Sequence, residues 1–369
     1  MNIKDYQLPE PGQTKDVWSV LAAETRPIVV YGMGNGADKL LSRFAAYGIR
    51  AADFFASDGF VRGHSFHGKR VLSYAEIREE YRDFVVVLSF ASARPEVLRN
   101  LFSMSESVPF YMPDLPVAGG EFFDAAFYAR HYHDLCEAQE MLADEESRRV
   151  FADVVRYKLS GDIRELRRHT QPKEKTLQKL LGGVELHCAV DAGAYNGDSA
   201  RLLLSVTSCR EIYAIEADRK NFSRLEKYAA GETRAGIHPI YGALSDRCEP
   251  MYFAVGGNRN SSFDNPSFQH RTEEVEGMTL DRLQLCPDYI KYDIEGAEAA
   301  ALRGSLKTIA ASRPILSVSA YHRSADLYEL PFLCRQICPD YRFYLRRELS
   351  LPAWDLDLIC IPMEREKGV

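Results

Sequence analysis

"HCAVDAGAYNGDSARLLLSV", residues 187–206, decides how the chain is read. It opens as a short apolar run, passes through a glycine loop bounded by Asp191 and Asp198, and continues with leucines spaced for one helix face. Strand, tight turn and helix in that order form the unit of a parallel sheet covered by helices. Downstream, "EIYAIEAD", "IHPIYGAL", "PMYFAVGG", "YIKYDI" and "PILSVSAY" supply further strands, and "YRFYLRR" with "LDLICIPM" is expected to close the sheet as an antiparallel pair. Upstream, "RPIVVYGMGNGADKLLSRFAAYG" repeats the unit, with a strand at Ile28–Tyr31 and a helix carrying Leu40, Leu41, Phe44 and Tyr47 on one face. "AADFFASD", the alternating "RVLSYAEI" and the apolar "FVVVLSF" at 84–90 continue it as extended segments. Between the two repeats, from Glu121 to about His169, Phe123, Phe127, Leu135, Ala138 and Leu142 fall in helical register, and Asp144 is the expected N-cap of the next helix. "QPKEK" at 171–175 then breaks the pattern. The expected fold is α/β, with two Rossmann-like doubly wound sheets at 21–120 and 177–369 joined by an α-helical bridge at 121–176.

Bulk composition narrows the function classes. A chain of 369 residues with 46% hydrophobic and 27% charged residues has enough apolar material for two cores and is not of a disordered or fibrous type. The formal charge of −7, with no basic block, argues against a nucleic-acid partner. Eight cysteines with no C-x-x-C pair fit reduced thiols better than a zinc site. The polar start "MNIKDYQLPEPGQTKDVW" lacks the apolar core of a signal peptide, and no run approaches the ~20 apolar residues of a membrane span. The reading is a cytoplasmic protein without a membrane partner, and a homo-oligomer is left open.

The two glycine loops differ in charge. Gly32, Gly34 and Ala37 match the spacing of a dinucleotide fingerprint, and Asp58 lies about where a ribose-binding carboxylate belongs, so these four residues form a candidate second nucleotide site. A nucleotide-type fold without a ligand explains them equally well. The second loop, Asp191-Ala192-Gly193-Ala194-Tyr195-Asn196-Gly197-Asp198, has acids at both ends that repel a diphosphate. With Glu216 ending the following strand, where a carboxylate can accept ribose hydroxyls, the set suits S-adenosylmethionine, a cationic cofactor without phosphate.

From residue 185 to 362 the chain resembles the FkbM family of S-adenosylmethionine-dependent methyltransferases. The resemblance rests on "VDAGAYNGDSA", "IYAIEADRKNFSRLEKY", "GALSD", "MTLDRL", "DYIKYDIEGAEAAALRGS" and "RPILSVSAYH" in that order. It implies a seven-stranded class I methyltransferase sheet, in which the Asp191–Asp198 loop cradles the methionine part and Glu216 holds the ribose. Ala243 and Leu244 would border the adenine, with Asp246 as a partner for its amino group. Ala217 stands where family members often carry proline. The N-terminal portion, with "FASDGFVRGHSFHGKRVL", looks like nucleotide- or CoA-binding modules of sugar-modifying proteins.

Asp293 falls at the carboxyl end of the strand in "YIKYDI", where open α/β sheets bind ligands. Three readings compete for Asp293, Glu295 and Glu298: acceptor orientation with proton removal, Mg²⁺ ligation, or a structural role in which Glu298 pairs with Arg303 or Lys291. No metal-ligand set is assigned. His322 is a candidate general base, Tyr321 beside it has the same ambiguity, and Ser261 and Ser262 match a serine-rich stretch of the family. The expected catalytic set is Asp293, Glu295 and His322, and the expected reaction is O-methylation of a hydroxyl on a sugar, glycan or other small-molecule acceptor. The alternatives are a catalytically silent nucleotide-sugar-binding or scaffolding protein and an NAD-linked sugar-nucleotide oxidoreductase. The latter lacks any Tyr-x-x-x-Lys motif in residues 91–120.

Overall fold

The structure is a computed structural model that describes residues 6–61, 63–254 and 272–366. One parallel and one mainly parallel sheet organise it. The N-terminal sheet has four strands in the order Ala51–Phe55, Ile28–Tyr31, Val85–Leu88, Phe110–Tyr111. Its two central strands, IVVY and VVVL, are buried at every position, as expected of strands covered on both faces. "RVLSYAEI" continues the sheet only by a single parallel bridge, Leu72 to Phe55. Ser73 and Glu76 form a reciprocal capping box that starts a helix at Tyr74–Glu80, so the local cap overrides the alternation.

The second sheet has seven strands, ordered Tyr341–Arg347, Leu356–Pro362, Ile315–Ser319, Tyr289–Tyr292, Glu185–Ala192, Ser208–Glu216, Gly236–Tyr241. Leu356–Pro362 runs antiparallel to both its neighbours, and the other adjacent pairs are parallel. Chain order reverses at the central pair, Glu185–Ala192 and Tyr289–Tyr292, which opens a crevice beyond their carboxyl ends. A separate three-stranded sheet pairs Ala243–Leu244 and Pro250–Ala254 with Thr272–Met278. The sequence reading missed Thr272–Met278, because a strand reading TEEVEGM shows little apolar signal.

The helical segment ties the sheets together. Asp144 caps the helix Glu145–Ser160 by accepting from the Ser147 N–H, and Phe123, Phe127, Leu135, Ala138 and Leu142 are all buried. One continuous apolar cluster includes Val29 and Val86 of the first sheet, Phe127 and Tyr157 of the helices, and Val190, Tyr292 and Val318 of the second sheet. Backbone bonds add to this weld: the Ala118 N–H donates to the His322 carbonyl at 2.9 Å, and Ser92 and Leu351 exchange both of theirs. The upstream region is thus fixed beside the crevice of the second sheet.

Candidate active site

A cavity of about 490 Å³ opens at the carboxyl ends of the central strands. Nine carboxylate side chains and two lysines line it, so it is strongly electronegative. Of the expected residues, Asp191, Gly193, Tyr195, Asp198, Glu216, Ala243, Leu244, Asp293 and Glu295 are in the lining, and Ala93 and Val117 join them from the upstream region.

Register explains the floor. Asp191 and Lys291 sit opposite each other on paired parallel strands, which brings Lys291 Nζ to 3.3 Å from Asp191 Oδ1. The Ser199 hydroxyl donates to Asp191 Oδ2 at 2.6 Å, so the first acid of the loop is already neutralised. Lys291 also lies 3.5 Å from Asp293 Oδ2. Burial lowers the pKa of Lys291, but Asp191 and Asp293 outweigh it and hold the group well above the usual lysine value.

Gly193 has φ +79°, and a Cβ there would lie 1.9 Å from the Asp293 carbonyl, so only glycine lets the two strand ends approach this closely. Tyr195 adopts φ +49°, a costly conformation for a side chain of its size, and directs its N–H to Glu216 Oε2 at 2.7 Å. The Asp218 N–H donates to Glu216 Oε1, also at 2.7 Å. Each Glu216 oxygen keeps a further lone pair. Burial pushes Glu216 up to about 7 despite these two donors.

Other expected cofactor residues play different parts. Ala194 is buried, and the Asn196 carbonyl accepts from Arg201, so both shape the loop from outside the lining. Gly197 is the left-handed cap of the helix Asp198–Val206. Asp246, the expected partner of the adenine amino group, stands outside the lining and pairs with Arg247 at 3.2 Å.

At the opposite wall the Tyr321 hydroxyl donates to Asp293 Oδ1 at 3.1 Å. Burial would raise the pKa of Asp293, but Lys291, His322 and Lys173 outweigh it and keep the carboxylate well below the usual range. Glu295, another non-glycine residue with positive φ (+56°), is pushed up to about 8 by burial, against the pull of His322. His322 is fully buried and outside the lining. Its Nε2 lies 3.7 Å from both Asp293 Oδ1 and Glu295 Oε2, and its Nδ1 lies 2.9 Å from Glu298 Oε1. Burial alone would lower it, yet the Glu298, Glu295 and Asp293 charges hold it up to about 10. The imidazole is set behind the two carboxylates and away from the cavity, where the sequence reading had placed a candidate general base. Glu298 likewise departs from expectation: it meets His322 instead of Arg303 or Lys291, and its Oε1 accepts from the Ile294 and Gly296 N–H groups.

Sequence reasoning missed Lys291 and Lys173. A lysine inside "YIKYDI", two residues before the acid, was the available signal for the first. Lys173, in what reads as a polar linker, bonds Asp355 at 3.1 Å and Asp357 at 3.3 Å on the cavity wall, and nothing local announces it. Ser261 and Ser262 lie outside the described residues, as does the side chain of Asp58, whose backbone opens a short 3-10 turn.

At the first glycine loop, a Cβ on Gly36 would lie 2.0 Å from the Ser89 carbonyl, and one on Gly32 would lie 2.6 Å from Ser89 Oγ and 2.9 Å from the Phe90 ring. Ala37 is fully buried and Gly34 caps the helix Asn35–Ala46. Gly32 and Gly36 thus let Ser89 and Phe90 approach closely, whereas a Cβ on Gly34 would meet open space.

The strand order, the left-handed glycine loop and the carboxylate ending the second strand give the C-terminal sheet the fold of a class I methyltransferase. In comparison with known families, residues 191–343 match the family model described as the methyltransferase FkbM domain. The chain is similar in fold to the crystal structure of methyltransferase FkbM from Methylobacillus flagellatus KT, at 21% identity and TM-score 0.67 over 97% of this chain and 95% of that one. Slighter likenesses are to Aeropyrum pernix fibrillarin in complex with natively bound S-adenosyl-L-methionine (12% identity, TM-score 0.32, covering 51% of this chain and 73% of that one) and to precorrin-6y C5,15-methyltransferase from Geobacter metallireducens GS-15 (10%, 0.32, 50% and 83%). A search of curated proteins gave no match. No helix among the described residues is long and apolar enough to cross a membrane.

Proposed function

We propose that this protein is an S-adenosylmethionine-dependent O-methyltransferase acting on a hydroxyl of a sugar, glycan or related metabolite. The observation that carries the reading is Glu216, gripped by two backbone N–H groups at the edge of a cavity lined by nine carboxylates and two lysines. Such a cavity favours a sulfonium and ammonium and disfavours phosphates. Glu216 accepts the ribose hydroxyls, Gly193, Tyr195 and Asp198 border the methionine part, and Ala243 and Leu244 flank the adenine.

Methyl transfer to oxygen is an in-line displacement. The acceptor oxygen attacks the methyl carbon, the carbon–sulfur bond breaks, its electron pair returns to sulfur, and the hydroxyl proton leaves to a base. Asp293, kept ionised by Lys291 and buttressed by Tyr321, orients the acceptor hydroxyl. Glu295, which lines the cavity and is raised to about 8, receives the proton when it is in its ionised form. His322 acts as a positioning residue behind both.

The test is incubation with methyl-labelled S-adenosylmethionine and a panel of sugar and glycan acceptors, followed by mapping of the label. Label on an acceptor oxygen, reduced about 100-fold in Asp293→Asn, supports the assignment. Label on nitrogen or carbon, or undiminished transfer by the variant, refutes it.

A further inference from the structure

Behind the cavity wall, on the side of His322 away from Asp293, Glu298, His322 and Asp326 converge. They are 1%, 0% and 4% exposed, and one donor atom from each lies within 4.8 Å of the others. Neither ring nitrogen of His322 has a hydrogen-bond partner, and Glu298 Oε2 has none either. Nδ1 is 2.9 Å from Glu298 Oε1 but is not aligned as a hydrogen bond. Buried polar atoms without partners are costly, and two of them, His322 Nδ1 and Glu298 Oε2, belong to this cluster.

From this geometry we infer a buried divalent metal site formed by Glu298, His322 and Asp326, taking a first-row transition ion such as Mn²⁺ or Zn²⁺. One imidazole nitrogen with two carboxylates is a mixed donor set that suits these ions better than the all-oxygen preference of Ca²⁺ or Mg²⁺. In an octahedral site, metal–ligand bonds of about 2.0–2.2 Å put adjacent donors about 3 Å apart, and a tetrahedral one spreads them by a few tenths of an ångström; Nδ1 and Oε1 lie 2.9 Å apart. The acids are also held from outside, as ligating carboxylates usually are: the Ile294 and Gly296 N–H groups donate to Glu298, and the Arg323 N–H donates to Asp326 Oδ2 at 2.7 Å. An ion there clips the loop bearing Asp293 and Glu295 to the helix Asp326–Ile337, and the Ala118 bond to the His322 carbonyl fastens the upstream region to the same clip. With Nδ1 on the metal, His322 presents Nε2–H toward Asp293 and Glu295.

The full chain, expressed in medium supplemented with Mn²⁺ or Zn²⁺, is desalted and measured for metal by mass spectrometry and for thermal unfolding with and without chelator. The expected result is about one ion per chain with at least one of the two metals, and a melting temperature that drops by at least about 3 °C when the ion is stripped and recovers on its return. Asp326→Asn and His322→Gln should each retain less than a tenth of the metal, while Asp326→Asn, being nearly isosteric, still binds S-adenosylhomocysteine. Absence of stoichiometric metal from wild-type protein with both ions overturns the inference, as does full metal retention in both variants. Because the cofactor is read out separately, failure of this site leaves the methyltransferase reading standing, and the reverse also holds.

Discussion

The molecule contains two crevices of the same topological kind and uses them differently. In the N-terminal sheet, chain order reverses between Ile28–Tyr31 and Val85–Leu88, and there Ser89 and Phe90 lie close against Gly32 and Gly36 while Tyr31 stacks on Phe55 and meets Phe90 edge-on. In the C-terminal sheet, the reversal between Glu185–Ala192 and Tyr289–Tyr292 opens into the acid-lined cavity. A glycine-rich turn at a switch point is therefore no evidence of a ligand by itself. What distinguishes the two is the chemistry of the residues that follow the partner strand, Ser89-Phe90 in one case and Asp293-Ile294-Glu295 in the other.

The largest expected effect breaks that comparison if it fails. Glu216→Ala should weaken S-adenosylhomocysteine binding by at least about 100-fold in calorimetry, since two hydrogen bonds to a charged acceptor are lost at about 1.5–3 kcal/mol each. Gly34→Ala, at the other loop, should leave that affinity within about twofold.

Next come two glycines under the same steric load. Gly36→Ala and Gly193→Ala each place a methyl group about 2 Å from a carbonyl oxygen, and each should lower stability by about 1–3 kcal/mol in denaturant unfolding. Only Gly193→Ala should also lower cofactor affinity, by about tenfold. Equal affinity losses in the two variants would erase the distinction between the loops.

A pH titration sharpens it further. Glu216 stands near 7 in the free protein, and ribose hydroxyls need its ionised form. Affinity should be highest above about pH 7.5 and fall up to about tenfold per unit below 7, with Glu216→Gln flattening the profile. For the empty protein the sign is opposite: a carboxyl raised on folding binds its proton more tightly in the folded state. Its contribution is thus most favourable below about pH 4.5 and is lost as pH rises toward 7. The smallest effect is expected at Asp246, where Asp246→Ala should change affinity by less than about twofold, because its side chain is half-exposed and engaged by Arg247.

Much of this was legible in the sequence for physical reasons. Buried parallel strands such as IVVY, VVVL and YIKY announce themselves by apolar runs, and the helices of the bridge by their period and the Asp144 cap. Glycines and acids at strand ends marked one wall of the cavity. The rest depended on tertiary pairing. Lys291 meets Asp191 only through the register of two strands a hundred residues apart, and Lys173 meets Asp355 and Asp357 only once the final strand folds back. The burial of His322 among Glu298, Glu295 and Asp293 has no local signature either, so its place behind the cavity wall could not be read from the strand end alone.

The central claim is that the cavity between Asp191 and Asp293 holds S-adenosylmethionine through Glu216 and rejects phosphorylated dinucleotides. Competition calorimetry tests it most directly, with S-adenosylhomocysteine titrated into wild-type protein alone and in the presence of excess NADH or coenzyme A. The account predicts one-to-one binding that neither competitor changes and that Glu216→Ala abolishes. Displacement of S-adenosylhomocysteine by either phosphate-bearing competitor, or binding indifferent to Glu216, would contradict it.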